Sequence, residues 1–400
     1  MRSRIYGKSL RIWAICAPLI LGFSGAASAW KQGTLVNTGS MEETRSSPTI
    51  GIGSQVNFFT ATLLKDGRVL VVGGSDSSGN PLCSAELYNP TTKSFSPTGS
   101  LNFARSGHTA TLLDSGRVLI AGGASDDHPD ELYDPSTGNF ILTGASSCAG
   151  DTATKLNDGT VLLATGVFTH IYDPKTETCA ALPVPLNPVP RLNSTATLLK
   201  TGEVLIAGGH NLLSRCGDEA LSTAILYEPS SGSFVDLGPI MLDEREQATA
   251  TLLRDGKVLI AGGLNFHDDC LDPHSSTLEF HASAELFDPT TRTFSGTGEM
   301  TEARAGHTAT LLPNGEVLMA GGFNTFYSEY GGLPGGPTNA IYYSELYNPL
   351  TGTFHQTGSM LHGRVGPAAV RLRLRTREVL VLGGLGFKGV PLSSAELYSY

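Results

Sequence analysis

The sequence has no apolar run long enough to cross a membrane. The nearest candidate, residues 12–23, falls short of the ~20 residues that a membrane helix needs. It follows four basic residues and precedes Ala27-Ser28-Ala29, which is typical of a secretory signal peptide. We therefore expect residues 1–29 to be a signal peptide cleaved after Ala29, and the mature protein to be secreted or periplasmic, with no membrane insertion.

Basic residues are also scarce. The chain has 27 Lys+Arg against 37 Asp+Glu, a formal charge of −10, and four of the basic residues lie in the expected signal peptide. An acidic surface without a basic stripe argues against nucleic acid as a partner. Glycine is abundant instead, at 48 of 400 residues, which favours an all-β protein with many tight turns. Nothing in the composition indicates the oligomeric state.

One motif recurs along the chain. Its clearest copy is His108 to Gly123, HTATLLDSGRVLIAGG. Further copies lie at 60–74, 151–166, 195–209, 249–263, 307–322 and, degraded, 367–384. Seven copies at a spacing of some tens of residues indicate repeated supersecondary units that bury their apolar surfaces against one another.

Each copy predicts a β-hairpin. TATLL reads as a strand, and an Asp-Gly or similar dipeptide follows it in the first six copies, as at Asp66-Gly67 and Asn314-Gly315. Such dipeptides favour a two-residue type I′ turn. The second strand, RVLIAGG in the clearest copy, is apolar enough to be buried on both faces.

Two more strands complete each unit. Patterns such as AELYNP at 85 and SELYNP at 344 predict a third strand that ends in an Asx-Pro turn, and TFHQTG at 353 represents the fourth. Four antiparallel strands form one propeller blade. The seventh unit stops at Tyr400 without a fourth strand, whereas residues 33–41 match the fourth-strand pattern of 352–360. We therefore expect the first and last segments to complete one blade together.

The glycine pair, the Tyr-Asp-Pro turn and the aromatic of the fourth strand resemble kelch repeats, in the variant found in galactose-oxidase-like central propellers. The resemblance implies a single all-β domain over residues 30–400, a seven-bladed kelch-type β-propeller. It also implies that first strands line a central channel and fourth strands lie outermost. The loops between second and third strands, and between blades, then share one face, which we call the loop face.

Recurrent polar residues precede the first strands. An arginine recurs at Arg105, Arg191, Arg245, Arg304 and Arg364. Five guanidinium groups near one rim would suit a ligand carboxylate, or each could be structural and bond main-chain carbonyls. His108 and His307 follow in the motif ARxGH and carry the same two interpretations.

The loops after the glycine pair are longest in units four to six, at 18, 24 and 25 residues to the third-strand aromatic. They contain His267, Tyr327 and Tyr330, which we take as candidate ligand contacts. The cluster His267, Asp268, Asp269, Asp272 and His274 has metal-compatible groups. Its spacing is irregular, so we predict no metal site and no cofactor.

Five cysteines follow the expected cleavage site, so at least one is unpaired within the chain or pairs with another molecule. Cys216 and Cys270 occupy the same loop position on adjacent blades, and we predict a disulfide between them. Cys148 replaces the recurrent arginine and Cys179 the outermost aromatic. Three strand spacings of ~4.8 Å would separate that pair by about 14 Å, beyond the ~7 Å limit, so we expect no such bond.

The resemblance also suggests a copper radical oxidase, which needs two tyrosines, two histidines and a crosslinking cysteine. The family's adjacent Tyr-His pair is absent, and no flanking domains accompany the propeller. A sugar isomerase or mutarotase is the alternative, with Glu244, Glu246, Glu302 or His307 as acid or base. The leading hypothesis is a recognition protein that binds a glycan or a peptide on the loop face without catalysis.

Overall fold

The computed structural model describes residues 33–45, 59–123, 128–144, 148, 150–164, 169–182, 191–211, 219–267, 277–325, 339–372 and 377–400. They form seven four-stranded antiparallel sheets, so the predicted seven-bladed β-propeller is confirmed. The helical content of these residues is one 3₁₀ turn, Phe387–Gly389. No helix in this part of the chain is long and apolar enough to cross a membrane. The predicted signal peptide lies outside the described residues.

The strands of the first four blades follow in chain order. Blade one contains β2 (Phe59–Leu63), β3 (Val69–Gly73), β4 (Ala85–Asn89) and β5 (Ser94–Pro97). Blade two contains β6 (Thr109–Leu112), β7 (Val118–Ala121), β8 (Glu131–Asp134) and β9 (Asn139–Leu142). Blade three contains β10 (Thr152–Lys155), β11 (Val161–Ala164), β12 (Thr169–Asp173) and β13 (Thr178–Ala181). Blade four contains β15 (Thr195–Leu198), β16 (Val204–Ala207), β19 (Thr223–Glu228) and β20 (Ser233–Pro239).

The last three blades have the same order. Blade five contains β21 (Thr249–Leu252), β22 (Val258–Ala261), β25 (Ala284–Asp288) and β26 (Thr293–Gly296). Blade six contains β27 (Thr308–Leu311), β28 (Val317–Ala320), β29 (Tyr343–Asn348) and β30 (Thr353–Ser359). Blade seven contains β31 (Ala368–Arg371), β32 (Glu378–Leu382), β33 (Ser394–Ser399) and the N-terminal β1 (Thr34–Ser40). Two small sheets lie in blades four and five: β14 (Arg191–Leu192), β17 (His210–Asn211) and β18 (Glu219–Ala220), and β23 (Leu264–His267) with β24 (Thr277–Phe280).

The ring closes as the sequence predicts. Strand β1 pairs antiparallel with β33, from Thr34 opposite Ser399 to Ser40 opposite Ser394. This pairing covers the edge that blade seven would otherwise expose to other chains. First strands of neighbouring blades pack against each other all the way round the ring, so they surround the central channel.

The hydrophobic core lies between blades. One cluster joins Leu70 and Val72 of blade one to Val118 and Ile120 of blade two, and similar clusters fill other seams. Second strands are buried along their whole length, as their continuous apolar sequence predicts. Burial of one such side chain contributes about 1.5–3 kcal/mol.

The hairpin turns differ in type from the prediction. In blade one, Gly67 N–H donates to Leu64 O at 3.1 Å, and Leu64 N–H donates to Arg68 O at 2.8 Å. Gly67 has φ +92°, whereas Asp66 is not among the residues with positive φ. The connection is therefore a three-residue loop with its glycine in the left-handed region, and the type I′ expectation is wrong. Glycine suits this third loop position because it has no Cβ to oppose a positive φ.

The expectation that Cys148 and Cys179 lie too far apart is also wrong. They form a disulfide with a Cα–Cα distance of 5.8 Å. Cys148 N–H donates to Asp130 Oδ2 at 2.9 Å, just before the third strand of blade two, and Cys179 pairs with Tyr172 of the third strand of blade three. The segment before a first strand therefore runs beside third strands, at the seam between two blades. Counting strand spacings from the innermost strand overestimated the separation.

The other cysteines have different outcomes. Cys83 is an exposed free thiol. The predicted partners Cys216 and Cys270 lie outside the described residues, so their disulfide stays a prediction.

Candidate functional site

The recurrent arginines are buried. All five predicted ligand contacts are at most 1% exposed, and Arg45 occupies the equivalent position before blade one. The structure thus does not place these guanidinium groups on an accessible rim. Sequence reasoning missed Arg45 because residues 46–58 separate it from its first strand.

Each arginine donates to acceptors of the blade that follows it. Arg364 Nη1 donates to Gly383 O at 3.0 Å and to Ser394 O at 2.9 Å, and its Nη2 donates to Glu396 at 3.0 Å. The other five repeat the bond to the first glycine of the pair. These contacts match the structural interpretation of the arginines, in which each guanidinium group bonds main-chain carbonyls.

The carboxylate partner comes from the third strand. Glutamates fill this position in five blades, at Glu86, Glu131, Glu285, Glu345 and Glu396. Blade four has Ile225 there, and the partners of Arg191 among the described residues are main-chain carbonyls and the Thr223 hydroxyl. Burial lowers the pKa of Arg191 to about 10, which still leaves it charged at neutral pH.

The arginine main chain joins neighbouring blades. Arg105 O accepts from Gly74 N–H of blade one at 2.9 Å, while its side chain bonds Gly122 O of blade two at 2.7 Å. Arg245, Arg304 and Arg364 repeat this arrangement. Each of these arginines therefore fixes the seam between two blades, which explains its recurrence without a ligand.

His108 and His307 are buried beside the channel. His108 Nε2 lies 2.9 Å from Thr60 Oγ1, and His307 Nε2 lies 3.0 Å from Thr249 Oγ1 of the preceding blade. Burial, followed by nearby arginine charge, lowers the pKa of each histidine to about 3. Both rings are therefore neutral at ordinary pH, with Nε2 engaged by threonine.

A polar cavity of about 300 Å³ lies where the first strands begin, at the loop-face end of the channel. We call it the mouth. It is lined from blades one to six, and its polar side chains are Thr60, His108, Thr109, Asp151, Asn193, Ser194, Gln247, Thr249 and His307. These groups can donate and accept hydrogen bonds from several directions around one small ligand.

Two residues of the mouth have an unusual backbone. The position two residues after the arginine has positive φ, and it is glycine in blades two, six and seven. In blades four and five it is Asn193 (φ +53°) and Gln247 (φ +55°). A non-glycine residue in this region costs roughly 1–3 kcal/mol, and such residues cluster at functional sites. Blades four and five therefore place amide side chains in the mouth at the expense of stability.

A hydrogen-bonded arc holds these positions together. Gln247 N–H donates to Asn193 O at 3.3 Å, Gly306 N–H to Gln247 O at 3.2 Å, and Gly366 N–H to Gly306 O at 3.0 Å. Behind the arc, buried Glu246 accepts from Asn193 Nδ2 at 3.1 Å and lies 3.8 Å from His210 Nδ1. Glu246 thus fixes the orientation of the Asn193 amide.

The remaining predicted residues have separate outcomes. His267 ends β23, and its side chain is not among those described. Tyr327 and Tyr330 lie outside the described residues. Glu244 bonds Asn265, and Glu302 bonds Asn324. Of the suggested acids and bases, His307 lines the mouth and Glu246 lies directly behind it.

Sequence reasoning missed Asp151, Asn193 and Gln247. The signal was present, because Asn193 and Gln247 interrupt a glycine that recurs at a fixed distance after the arginine. A substitution that breaks a repeat at a position requiring positive φ points to a role beyond the scaffold.

Comparisons with known proteins agree with the fold. A family model described as the Kelch motif matches residues 60–102. No curated protein matches the chain by sequence. The structure is similar to that of a novel fungal alcohol oxidase of the AA5 family in complex with copper, with a TM-score of 0.67, 16% identity, and coverage of 90% of this chain and 76% of that chain. It is also similar to YjhT, with a TM-score of 0.50, 15% identity, and coverage of 90% and 97%. At these identities the likeness shows the fold alone.

In the described lining of the mouth, the Nε2 atoms of the two histidines lie within hydrogen-bond distance of threonine hydroxyls, and no tyrosine or cysteine stands beside them. Within the described ranges, no group of three or more His, Cys, Asp or Glu could hold a metal ion.

Proposed function

Starting from a chain that is a seven-bladed kelch β-propeller, we propose that it is an exported recognition protein that binds one sugar unit of a glycan at the mouth, without catalysis. The observation that carries this proposal is the pair Asn193 and Gln247, whose left-handed backbones bring amide groups into the mouth. Strain of this kind persists where the surrounding structure and a function maintain it.

The chemistry of the mouth supports a hydroxylated ligand. Thr109, Ser194 and Thr249 supply hydroxyl groups, Asn193 and Gln247 supply amides, and Asp151 supplies a carboxylate. Such groups form the several short hydrogen bonds that a sugar ring requires. The volume of about 300 Å³ lies at the lower end of the ~300–1,000 Å³ typical of small-molecule sites. It favours one sugar unit over an extended peptide.

The same residues argue for binding without turnover. An isomerase needs an acid and a base that both reach the ligand. Among the described residues, the titratable groups that line the mouth are Asp151 and two neutral histidines whose Nε2 atoms are engaged by threonines. Within this described lining, one carboxylate stands without a second group that could donate a proton, so the pair is incomplete.

Export is supported by the disulfide. The bond between Cys148 and Cys179 suits an oxidising compartment, since such bonds are rare in the cytosol. The signal-peptide pattern at residues 1–29 gives the route.

A glycan array tests the function, with Ser194→Trp to fill the mouth. The control is Asn157→Trp, which lies in a separate cleft at the hairpin-turn face. We expect wild type and control to bind the same glycans and Ser194→Trp to bind none, with all three equally folded by circular dichroism. Binding that survives in Ser194→Trp would refute the choice of the mouth. Catalysed interconversion of a bound sugar's anomers, followed by NMR, would favour the isomerase.

A further inference from the structure

Two threonines of the mouth are held differently from their counterparts in other blades. We propose that Thr60 and Thr249 are the specificity-determining donors of the mouth, whose hydroxyl hydrogens bind acceptor oxygens on opposite edges of the sugar. His108 and His307 are positioning residues that keep these hydroxyls in the donating state. The inference rests on the function proposed above and adds how the ligand is recognised.

Six of the seven first strands carry an equivalent threonine. In four blades its hydroxyl donates to the carbonyl opposite it on the second strand of the same blade, as Thr308 does to Ala320 O at 3.2 Å. Those hydroxyl hydrogens are therefore already bound within the blade. Thr60 and Thr249 differ, because their hydroxyls lie against a histidine of the next blade, at 2.9 Å and 3.0 Å from its Nε2.

The tautomer of each histidine decides which partner donates. Nδ1 of each ring is buried without a hydrogen-bond partner. The ring packs onto a glycine of the preceding blade, with Cε1 2.7 Å from the point where a Cβ of Gly73 or Gly262 would stand. Burial lowers the pKa of both rings to about 3, so each is neutral and carries one N–H. A buried N–H without an acceptor is rare in proteins, so the hydrogen-bond network assigns the proton to Nε2.

The state of the hydroxyls follows from this tautomer. Nε2–H donates to Thr60 Oγ1 in one pair and to Thr249 Oγ1 in the other, so each threonine oxygen accepts and keeps its own hydrogen. Among the described residues, neither hydroxyl has another hydrogen-bond partner. Both side chains line the mouth, where the hydrogen is available to an acceptor of the ligand.

The two donors approach a ligand from separate sides. Thr60 belongs to blade one and Thr249 to blade five, and packing between first strands places blades seven and six between them along the shorter arc of the ring. A sugar ring carries oxygens around its whole edge, so one unit can accept from both hydroxyls. Because the histidines hold the hydroxyls before the ligand arrives, less ordering is needed on binding.

The tautomer can be tested without a ligand. Long-range ¹H–¹⁵N NMR spectra of the mature protein report which ring nitrogen carries the proton, and His108→Gln and His307→Gln assign the signals by removing one ring each. We expect a proton on Nε2 and none on Nδ1 in both rings. A proton on Nδ1 would overturn the inference, because threonine would then have to donate to Nε2.

Calorimetric titration with the array sugar that wild type binds most tightly tests the donors. Thr60→Val/Thr249→Val removes both hydroxyls and keeps the shape, and we expect at least about tenfold weaker binding. Thr60→Ser/Thr249→Ser keeps the hydroxyls and should stay within about threefold of wild type. The matched control is Thr195→Val/Thr308→Val, which removes hydroxyls that donate within their own blades and should leave the affinity unchanged.

Melting curves establish that each variant is folded. If the double valine variant does not fold, the single variants Thr60→Val and Thr249→Val replace it, each with about fivefold weaker binding expected. Wild-type affinity in the folded valine variants, or serine variants as weak as the valine ones, would overturn the inference and leave the proposed function standing. If wild type binds no sugar of the array, the proposed function fails and the inference fails with it.

Discussion

Arg304 and Arg191 occupy the same repeat position with different partners. Arg304 holds Glu345, whereas Arg191 holds main-chain carbonyls and a hydroxyl. We expect Arg304→Met to lower the free energy of unfolding by about 3–5 kcal/mol because it leaves the buried Glu345 carboxylate without its cation. Arg191→Met should cost less, about 1–2 kcal/mol, because it leaves neutral acceptors.

Urea denaturation measures both variants, and glycan binding of the folded fraction serves as the control readout. Equal losses in the two variants would contradict the distinction. A selective loss of glycan binding in Arg304→Met, with stability intact, would instead restore arginine as a ligand contact.

The two channel histidines predict a particular pH dependence. Because the pKa of each is about 3 in the folded protein and 6.5 when exposed, protons bind the unfolded chain first as pH falls. The free energy of unfolding is therefore unaffected by these histidines above about pH 6.5. Below that pH it falls, by about 2–3 kcal/mol per histidine at about pH 4.5. We expect His108→Gln/His307→Gln to lose less stability than wild type between about pH 7.5 and 4.5. Thermal unfolding at the two pH values checks this, and parallel losses in both proteins would contradict the buried, neutral assignment.

For single residues, the sequence shows which side chains recur but not which of them are buried or what they contact. The arginines recur visibly, yet their burial follows from the path of the segment between blades, which repeat spacing does not contain. The partner could have been found, since glutamate stands two residues before the third-strand tyrosine in the blades that have both residues, as at Glu396 and Tyr398.

Among the strands and seams, blade three departs most from the repeat. In four other seams a third-strand tyrosine bonds a threonine of the preceding blade, as Tyr398 bonds Thr357 at 2.8 Å. In blade three, Tyr172 Oη and Thr143 Oγ1 have no hydrogen-bond partner among the described residues. The connection into this blade is shorter by two residues, and Cys148 takes the arginine position. At the seam between blades two and three, the disulfide thus takes the place of the arginine that joins neighbouring blades elsewhere.

Reduction should therefore loosen this seam. The bond closes a loop with a sequence separation of 31, so the chain-entropy estimate gives a loss of about 3–4 kcal/mol. We expect reductant to lower the melting temperature of wild type and to have a smaller effect on Cys148→Ser/Cys179→Ser. Any sensitivity that remains in this double variant would report the predicted bond between Cys216 and Cys270. An unchanged wild-type melting temperature in reductant would contradict a stabilising role.

The strand patterns predicted four strands per blade and the partnership of the chain ends because apolar periodicity and glycine positions follow directly from the repeat. The turn type and the depth of the segments between blades were missed. Both depend on hydrogen bonds between segments that sequence alone does not pair, such as Leu64 N–H to Arg68 O and Arg105 N–H to Leu82 O.

For the whole molecule, the closed ring determines where a ligand can bind. Seven blades place the beginnings of their first strands around one axis, so single residues from separate repeats meet in the mouth. The repeat predicts this ring and its loop face. It does not predict the ligand contacts, because the residues proposed to carry them, Asp151, Asn193 and Gln247, lie at positions where the blades differ from one another.

The affinity of Asn193→Gly/Gln247→Gly for the tightest glycan of the array tests the central claim most directly. Both changes restore the glycine found at this position in blades two, six and seven, and they remove the strain of a non-glycine residue with positive φ. The double variant should therefore be at least as stable as wild type, by up to about 2 kcal/mol, while its affinity falls at least about tenfold because two amide contacts are lost. Unchanged affinity in a stable, folded double variant would contradict the assignment of the mouth as the ligand site.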